Sequence, residues 1–479
     1  EGDYIRFNEI RGFKSADKRK RRPTVDYNYE EPFELFSSHV YAKGSLILNM
    51  LHDVLGDDGF WRSIKHYTAK NKLKNVETVD LKKSIEVTTG QNLDWFFKQW
   101  VYEPGFPEYD VSWTYNQRNK LLSLHVKQIQ DLKTTSLFKM PINVLIDNGT
   151  VEEHVIWVED LDSVYKIHTN KRPKMVVFNS GLKVPSNLKM QKSVSDLKYQ
   201  LVNAPNVLDR IWASQQLSKK KGRKIVEYAL SESAKRDSFW AVRSEAYSSL
   251  GKLKTKANQE DFQWIKNNEK DNRVKRSFIR SLRHQLNDND VSRFLEDIII
   301  SDTSYYSIAD AIRILSVVDS SKAKDHVIKL LNTESHNDVI RKSALSYYGQ
   351  VKTMSNYNRL KELAQYGKFS WASRSTIIYE LSKYQKTRPK TYDYILSFFD
   401  DEDRFVRMAV IAQIGNYGNE SNYGLLDEMV EKDPVLSINS RRAKAKIQKR
   451  KNSVSKKSKT QTAEQLNKKI NAIKNILLD

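Results

Sequence analysis

Three changes of hydrophobic period divide the chain. Over residues 31–108 the apolar positions recur every three or four residues. Leu46, Ile47, Met50, Leu51, Val54 and Leu55 share one helical face, and Gly56 is placed to end that helix. Asp57 or Asp58 can cap a second helix, which the spacing expects to bury Phe60, Trp61, Ile64 and Tyr67. A third helix starts at Thr78 or Asp80 and stops near Gly90. A fourth carries Leu93, Trp95, Phe96 and Trp100, and Gly105-Phe106-Pro107 breaks it.

From residue 109 to 188 the period drops to two. Tyr109, Val111, Trp113 and Tyr115 alternate with polar residues, as do Leu122, Leu124, Val126 and, with one slip, Ile129. Residues 142–146, 155–158 and 176–178 read as further strands, with Asp147-Asn148-Gly149 as a turn. Short strands separated by turns predict a small β-sandwich.

Beyond about residue 195 the helical period returns, with an internal repeat. Arg210, Arg243, Lys275, Ala309, Arg341, Arg374 and Arg407 follow one another at 33, 32, 34, 32, 33 and 33 residues. Seven positions after each lies Leu217, Leu250, Leu282, Ser316, Tyr348, Leu381 or Ile414, mostly large and apolar. Asp or Asn opens a helix, and Val/Ile-Arg follows in its first turns. One such unit cannot bury its apolar face alone, so the repeat predicts stacked helix pairs, an α-solenoid of HEAT-like type over residues 195–450. At the end of the chain Ala463, Leu466, Ile470, Ile473 and Leu477 predict one more helix, expected to fold back as a cap.

Composition narrows the class. A chain of 479 residues, 39% hydrophobic and 29% charged, is globular and long enough for about three domains. The longest wholly apolar runs, such as Ile298-Ile299-Ile300, are too short for a transmembrane segment. With no cysteine, disulfides, thiol nucleophiles and Cys-ligated metals are excluded. The net charge of +22 is uneven: residues 441–479 hold 13 Lys and Arg against Glu464 and Asp479, half the total. That tail has no aromatic residue for base stacking, so a solvated basic tail is expected, and nucleic acid is not the expected partner. Residues 1–30 are polar and open on Glu1, and the expectation is that they continue a longer polypeptide.

The stretch with chemical content is Val40-Tyr41-Ala42-Lys43-Gly44, which runs directly into an apolar helix. Downstream follow Phe96-Phe97-Lys98-Gln99-Trp100 and Gly105-Phe106-Pro107. In this order and spacing, ahead of strands and then helical repeats, these elements resemble the membrane-alanyl-aminopeptidase family of zinc metallopeptidases, the gluzincins. The resemblance is close over 31–108, looser over 109–190, and architectural over the repeats. It implies that residues 1–108 are the end of a thermolysin-like catalytic domain, 109–190 a β-sandwich and 195–450 a HEAT-like solenoid, with 451–479 a basic tail. The fold class expected is therefore mainly α with a small β domain.

The resemblance also implies a role for Tyr41. A neutral phenol there would donate a hydrogen bond to the carbonyl oxygen of the scissile peptide as negative charge develops on it. Lys43 is expected to be solvated or paired with an acid, and Gly44 to allow close helix approach. The family's His-Glu-x-x-His helix and its Gly-x-Met-Glu-Asn segment are absent: none of the nine histidines forms the metal motif. Zinc is thus implied for the whole enzyme, with no ligand and no other cofactor held by this chain, which is expected to be inactive alone. His39 and His52 are expected at the surface. Peptides are the implied substrates, and the repeats are a place for a protein partner. The competing reading is a non-catalytic aminopeptidase-like scaffold whose repeats bind protein or nucleic acid.

Overall fold

The computed structural model describes residues 1–29 and 31–453, and the helix expected over 463–477 lies outside them. The chain divides into two units, Glu1–Thr255 and Lys256–Asp479. It is mostly helical, with its strands confined to one stretch. No described helix is long and apolar enough to cross a membrane.

The first unit opens on α1 (Gly2–Arg19), α2 (Tyr41–Lys70), α3 (Thr78–Thr89) and α4 (Asp94–Phe97), the last continued by a π-helical turn over Lys98–Tyr102. The polar look of residues 1–30 hid α1. Phe7, Ile10, Phe13, Ala16 and Asp17 form its buried stripe, and this period of three to four is legible in hindsight. Gly56 ends the first of two helical segments that meet at a kink within α2, where the sequence placed a helix end. Its φ of 70° and ψ of 169° are open to glycine, and helical residues resume at once. The segment after the kink turns differently from expectation. Trp61 is exposed, its indole nitrogen donating to Asp57, while Phe60, Ile64 and Tyr67 are only half-buried; Gly59 and Ser63 take the inward positions. Next, α3 carries a capping box between Glu77 and Asp80 and ends on Gly90 in the left-handed region.

Seven strands follow: β1 (Glu108–Asn116), β2 (Leu121–Gln128), β3 (Met140–Asp147), β4 (Val151–Val158), β5 (Asp162–His168), β6 (Met175–Phe178) and β7 (Asn187–Met190). They make a four-stranded sheet of order β5-β2-β1-β7 and a three-stranded sheet of order β4-β3-β6. Pairings are antiparallel except β1 with β7. Strands β5 and β7 were not read from the sequence; both are short and bury little. In β2 the inward series runs Leu122, Leu124, Val126, Gln128, so Ile129 is exposed. A buried glutamine holds the last inward place because its amide donates to the carbonyls of Phe138 and Asp160.

Inward residues of both sheets join α1, α2, α3 and Trp100 in one apolar core. Phe7 of α1 belongs to a second core, built by α5 (Val194–Asn203), α6 (Val207–Leu217), α7 (Lys224–Arg236) and α8 (Trp240–Leu253). The first helix is therefore a wedge. Ile10 and Phe13 serve one core and Phe7 the other.

The second unit contains α9 (Gln259–Asn268), α10 (Asn272–Ser281), α11 (Asn289–Ser301), α12 (Tyr305–Val318), α13 (Ser320–Leu331), α14 (Val339–Gln350), α15 (Met354–Leu363), α16 (Trp371–Ser382), α17 (Thr391–Leu396), α18 (Arg404–Tyr417) and α19 (Tyr423–Lys432). Its even-numbered helices up to α18 pack on one another in sequence, and α12 through α18 each pack on the helix just before them. The residues that mark the 33-residue period all fall on even-numbered helices, from Arg210 on α6 to Arg407 on α18. Four of them, Arg210, Lys275, Arg374 and Arg407, tie one unit of the period to the next through acids further along the chain. Within the first unit Arg210 forms a two-pronged pair with Asp237, at 2.8 and 3.0 Å. Within the second, Arg374 reaches Asp401 and Asp403, and Arg407 reaches Asp433.

Candidate active site

Tyr41 is the first residue of α2, and the segment before it is fixed from below. Arg22, nearly buried, donates to the Glu34 carbonyl at 2.7 Å and the Ser37 hydroxyl at 2.6 Å. The backbone nitrogens of Thr24 and Val25 bind the Val101 carbonyl, and that of Tyr41 binds the Ser37 carbonyl. Held this way, the Tyr41 side chain points outward and is 62% exposed. It lies beside Phe36, ring centroids 6.1 Å apart, and Phe36 lies beside Phe33. Tyr41 lines an open cleft of ≈ 540 Å³ between α1 and α2, whose other walls include Ile5, Arg6, Glu9, Ser45 and Asn49. Arg6 is already engaged by Asp3 and the Gly181 carbonyl.

Beneath Tyr41 sits a buried polar cluster that the sequence reading missed. Lys43 is fully buried, not solvated. Its ammonium donates to the Glu103 carbonyl at 3.2 Å and lies 5.3 Å above the Phe13 ring. Burial lowers its pKa from 10.5 to about 8, against the opposing charge of Asp17. His39 is also buried, contrary to the surface position expected. It packs edge-on to Phe13, with Nε2 3.6 Å from Oδ1 of buried Asp17. Neither His39 nitrogen nor Asp17 Oδ1 has a hydrogen-bond partner, while Asp17 Oδ2 accepts from Arg21 at 3.0 Å. The physical reason is α1: Asp17 continues the stripe of Ile10 and Phe13, so its carboxylate enters the core and draws Lys43 with it. Gly44 differs as well. A Cβ there would meet nothing within 4 Å, so no close approach depends on it. His52 is partly exposed and its Nε2 lies 2.9 Å from Asp57.

Among the described residues no group of three His, Cys, Asp or Glu side chains could hold a metal ion. The described residues do not fit a zinc centre.

Residues 7–100, which contain this cleft's Tyr41 wall, match the model of the peptidase family M1 domain. The chain is similar to aminopeptidases over part of its length. Over 202 residues it is 26% identical to the leucyl aminopeptidase of Saccharolobus solfataricus, covering 39% of this chain and 25% of that protein. Over 176 residues it is 24% identical to tricorn protease-interacting factor F2 of Thermoplasma volcanium, covering 35% and 22%. Over 197 residues it is 25% identical to aminopeptidase N of Haemophilus influenzae, covering 37% and 22%. The chain thus spans about a quarter of the length of the curated relatives it matches. Its fold is also like that of Legionella pneumophila aminopeptidase A, solved with aspartic acid. The TM-score is 0.64 at 16% identity, covering 88% of this chain and 58% of that one.

Proposed function

We propose that this chain supplies one wall of the active site of an M1-type aminopeptidase, an enzyme that hydrolyses N-terminal residues from peptides, with Tyr41 as its catalytic contribution. The observation that carries the reading is the placement of Tyr41. It is an exposed phenol at a helix start, lining an open cleft, inside the segment that matches the M1 domain. Such a hydroxyl can donate a hydrogen bond to the oxygen of a scissile carbonyl as its charge grows. The N-terminus of α2 adds a favourable dipole. The zinc and its ligands would come from polypeptide outside this chain, and residues 1–479 alone are expected to be inactive. In this reading residues 1–108 are the end of a thermolysin-like domain, 109–190 a sandwich and 195–450 a HEAT-like solenoid. The two sheets and the 33-residue spacing of helix pairs support that division.

The test is Tyr41→Phe in the assembled enzyme, with the metal-bearing polypeptide present, assayed on an aminoacyl anilide. Losing one donor to the oxyanion costs roughly 3–4 kcal/mol, a 10²–10³-fold fall in kcat with KM little changed. A variant that turns over at the parental rate would remove Tyr41 from the mechanism.

A further inference from the structure

We propose that Arg276, Arg280 and Arg313 form a carboxylate-binding site on the second unit, independent of Tyr41 and of the function proposed above. Arg276 and Arg280 are four residues apart on α10 and so share a face of that helix. Arg313 lies on α12, three residues beyond Asp310. All three guanidinium groups converge on the Asp310 carboxylate, which is almost wholly buried. Arg276 Nε lies 2.7 Å and Arg280 Nη2 2.8 Å from Oδ2, and Arg313 Nη1 lies 2.9 Å from Oδ1. Arg276 also rests 4.8 Å above the Tyr306 ring, and Arg313 Nη2 donates to the Ser343 hydroxyl at 2.6 Å. Glu380 feels the charge of Arg313 but is paired with Lys383 at 2.6 Å. The cluster therefore gathers three positive charges around one negative charge.

A purely internal clamp would need one arginine, or two. Three positive groups around one carboxylate repel each other, and a second anion would relieve that repulsion. The donors to hold it are present. Each guanidinium carries five N–H groups in a planar fork, and the contacts made here engage Nε of Arg276, Nη2 of Arg280 and two nitrogens of Arg313. The side chains are 27%, 51% and 46% exposed for Arg276, Arg280 and Arg313, so each keeps part of its surface in solvent. The cluster already binds one carboxylate, that of Asp310, which makes a second carboxylate the ligand its geometry suits.

The experiment is calorimetric titration of the full chain with N-acetyl-trialanine, with its C-terminal amide, and with inorganic phosphate. Acetylation removes the free amine, so binding does not call on an aminopeptidase site. The free acid is expected to bind and the amide not, with affinity falling as salt rises. Arg280→Gln, a change at a half-exposed side chain, should weaken the acid roughly tenfold or more. Asp310→Asn removes the internal competitor and should tighten binding. If that variant fails to fold, Arg280→Gln still decides. Equal behaviour of acid and amide, no binding of either, or unchanged affinity in Arg280→Gln would each overturn the site. Weaker binding in Asp310→Asn would also overturn it, and phosphate binding more tightly than the peptide acid would overturn the carboxylate assignment.

Discussion

Replacing Arg374 with alanine tests how the helical repeats are tied together. Arg374 is one of the largest fully buried side chains in the protein. From α16 its Nε donates at 3.0 Å to the Ala364 carbonyl, just past α15. Its Nη1 donates to Asp401 at 3.0 Å and to Asp403 at 2.7 Å, in the loop before α18, and Nη2 also binds Asp401. One cation thus closes three stretches of backbone from two successive units of the period. Truncation leaves Asp401, whose side chain is only 7% exposed, without its partner, and frees a buried carbonyl. Breaking a buried pair from one side costs about 3–5 kcal/mol, far more than the pair is worth against an apolar replacement. Urea denaturation, followed by circular dichroism and by hydrogen exchange in residues 354–417, reads that loss. Adding Asp401→Asn should recover part of it, because the stranded charge is then gone. A loss under about 1 kcal/mol, or exchange unchanged in those residues, would refute the view that this guanidinium holds the units in register.

Burial lowers Lys14, Lys43 and Lys192 from 10.5 to about 8. Between those values the unfolded chain holds protons that the folded chain has released, so the stability of the first unit should rise with pH across this window and gain nothing below about pH 8. Lys43→Met should flatten part of that rise in hydrogen-exchange measurements on α2, and an unaltered slope would contradict the burial assigned to Lys43. Gly349 leaves room for Glu380, whose Oε2 would sit 1.7 Å from a Cβ at that position. Gly349→Ala should therefore destabilise the second unit by roughly 1–3 kcal/mol in the same denaturation assay, and a neutral outcome would show that Glu380 can swing clear. Glu380 itself is pushed upward in pKa, first by burial and against the pull of Lys383. Its folded form keeps the proton longer than the unfolded chain does, so the parent protein should lose stability as pH rises through the carboxylate range and Glu380→Gln should gain relative to it. No gain there would place the carboxylate in water.

Much of the helical architecture was legible because helix burial repeats. Leu46, Met50 and Leu51 were read as core and are core, and the seven period-marking residues fall on alternating helices. What stayed hidden were positions where a polar residue takes an inward place. Asp17 sits on an apolar stripe, Gln128 ends an inward β-series, and Lys43 and His39 are drawn into a core by a carboxylate on another helix. Residue type argued for water at each, and only the tertiary partners reverse that. Trp61 failed the other way. In the helical segment after Gly56 the small residues Gly59 and Ser63 face inward, so the aromatic stripe read for that helix through Trp61 points outward. At the candidate site the motif drew attention to Tyr41, which is exposed at the start of α2, whereas nothing in the sequence pointed to the buried cluster beneath it.

The most direct measurement of the role proposed for the Tyr41 hydroxyl compares two affinities in the proposed assembled enzyme, before and after Tyr41→Phe. One ligand is a peptide analogue with a tetrahedral, negatively charged centre in place of the scissile carbonyl; the other is a plain, uncleaved substrate analogue. If the phenol donates to the developing oxyanion, the variant should lose about the same factor in affinity for the tetrahedral ligand as it loses in kcat, and keep its affinity for the substrate analogue. Equal affinity for the tetrahedral ligand in both proteins would contradict the account.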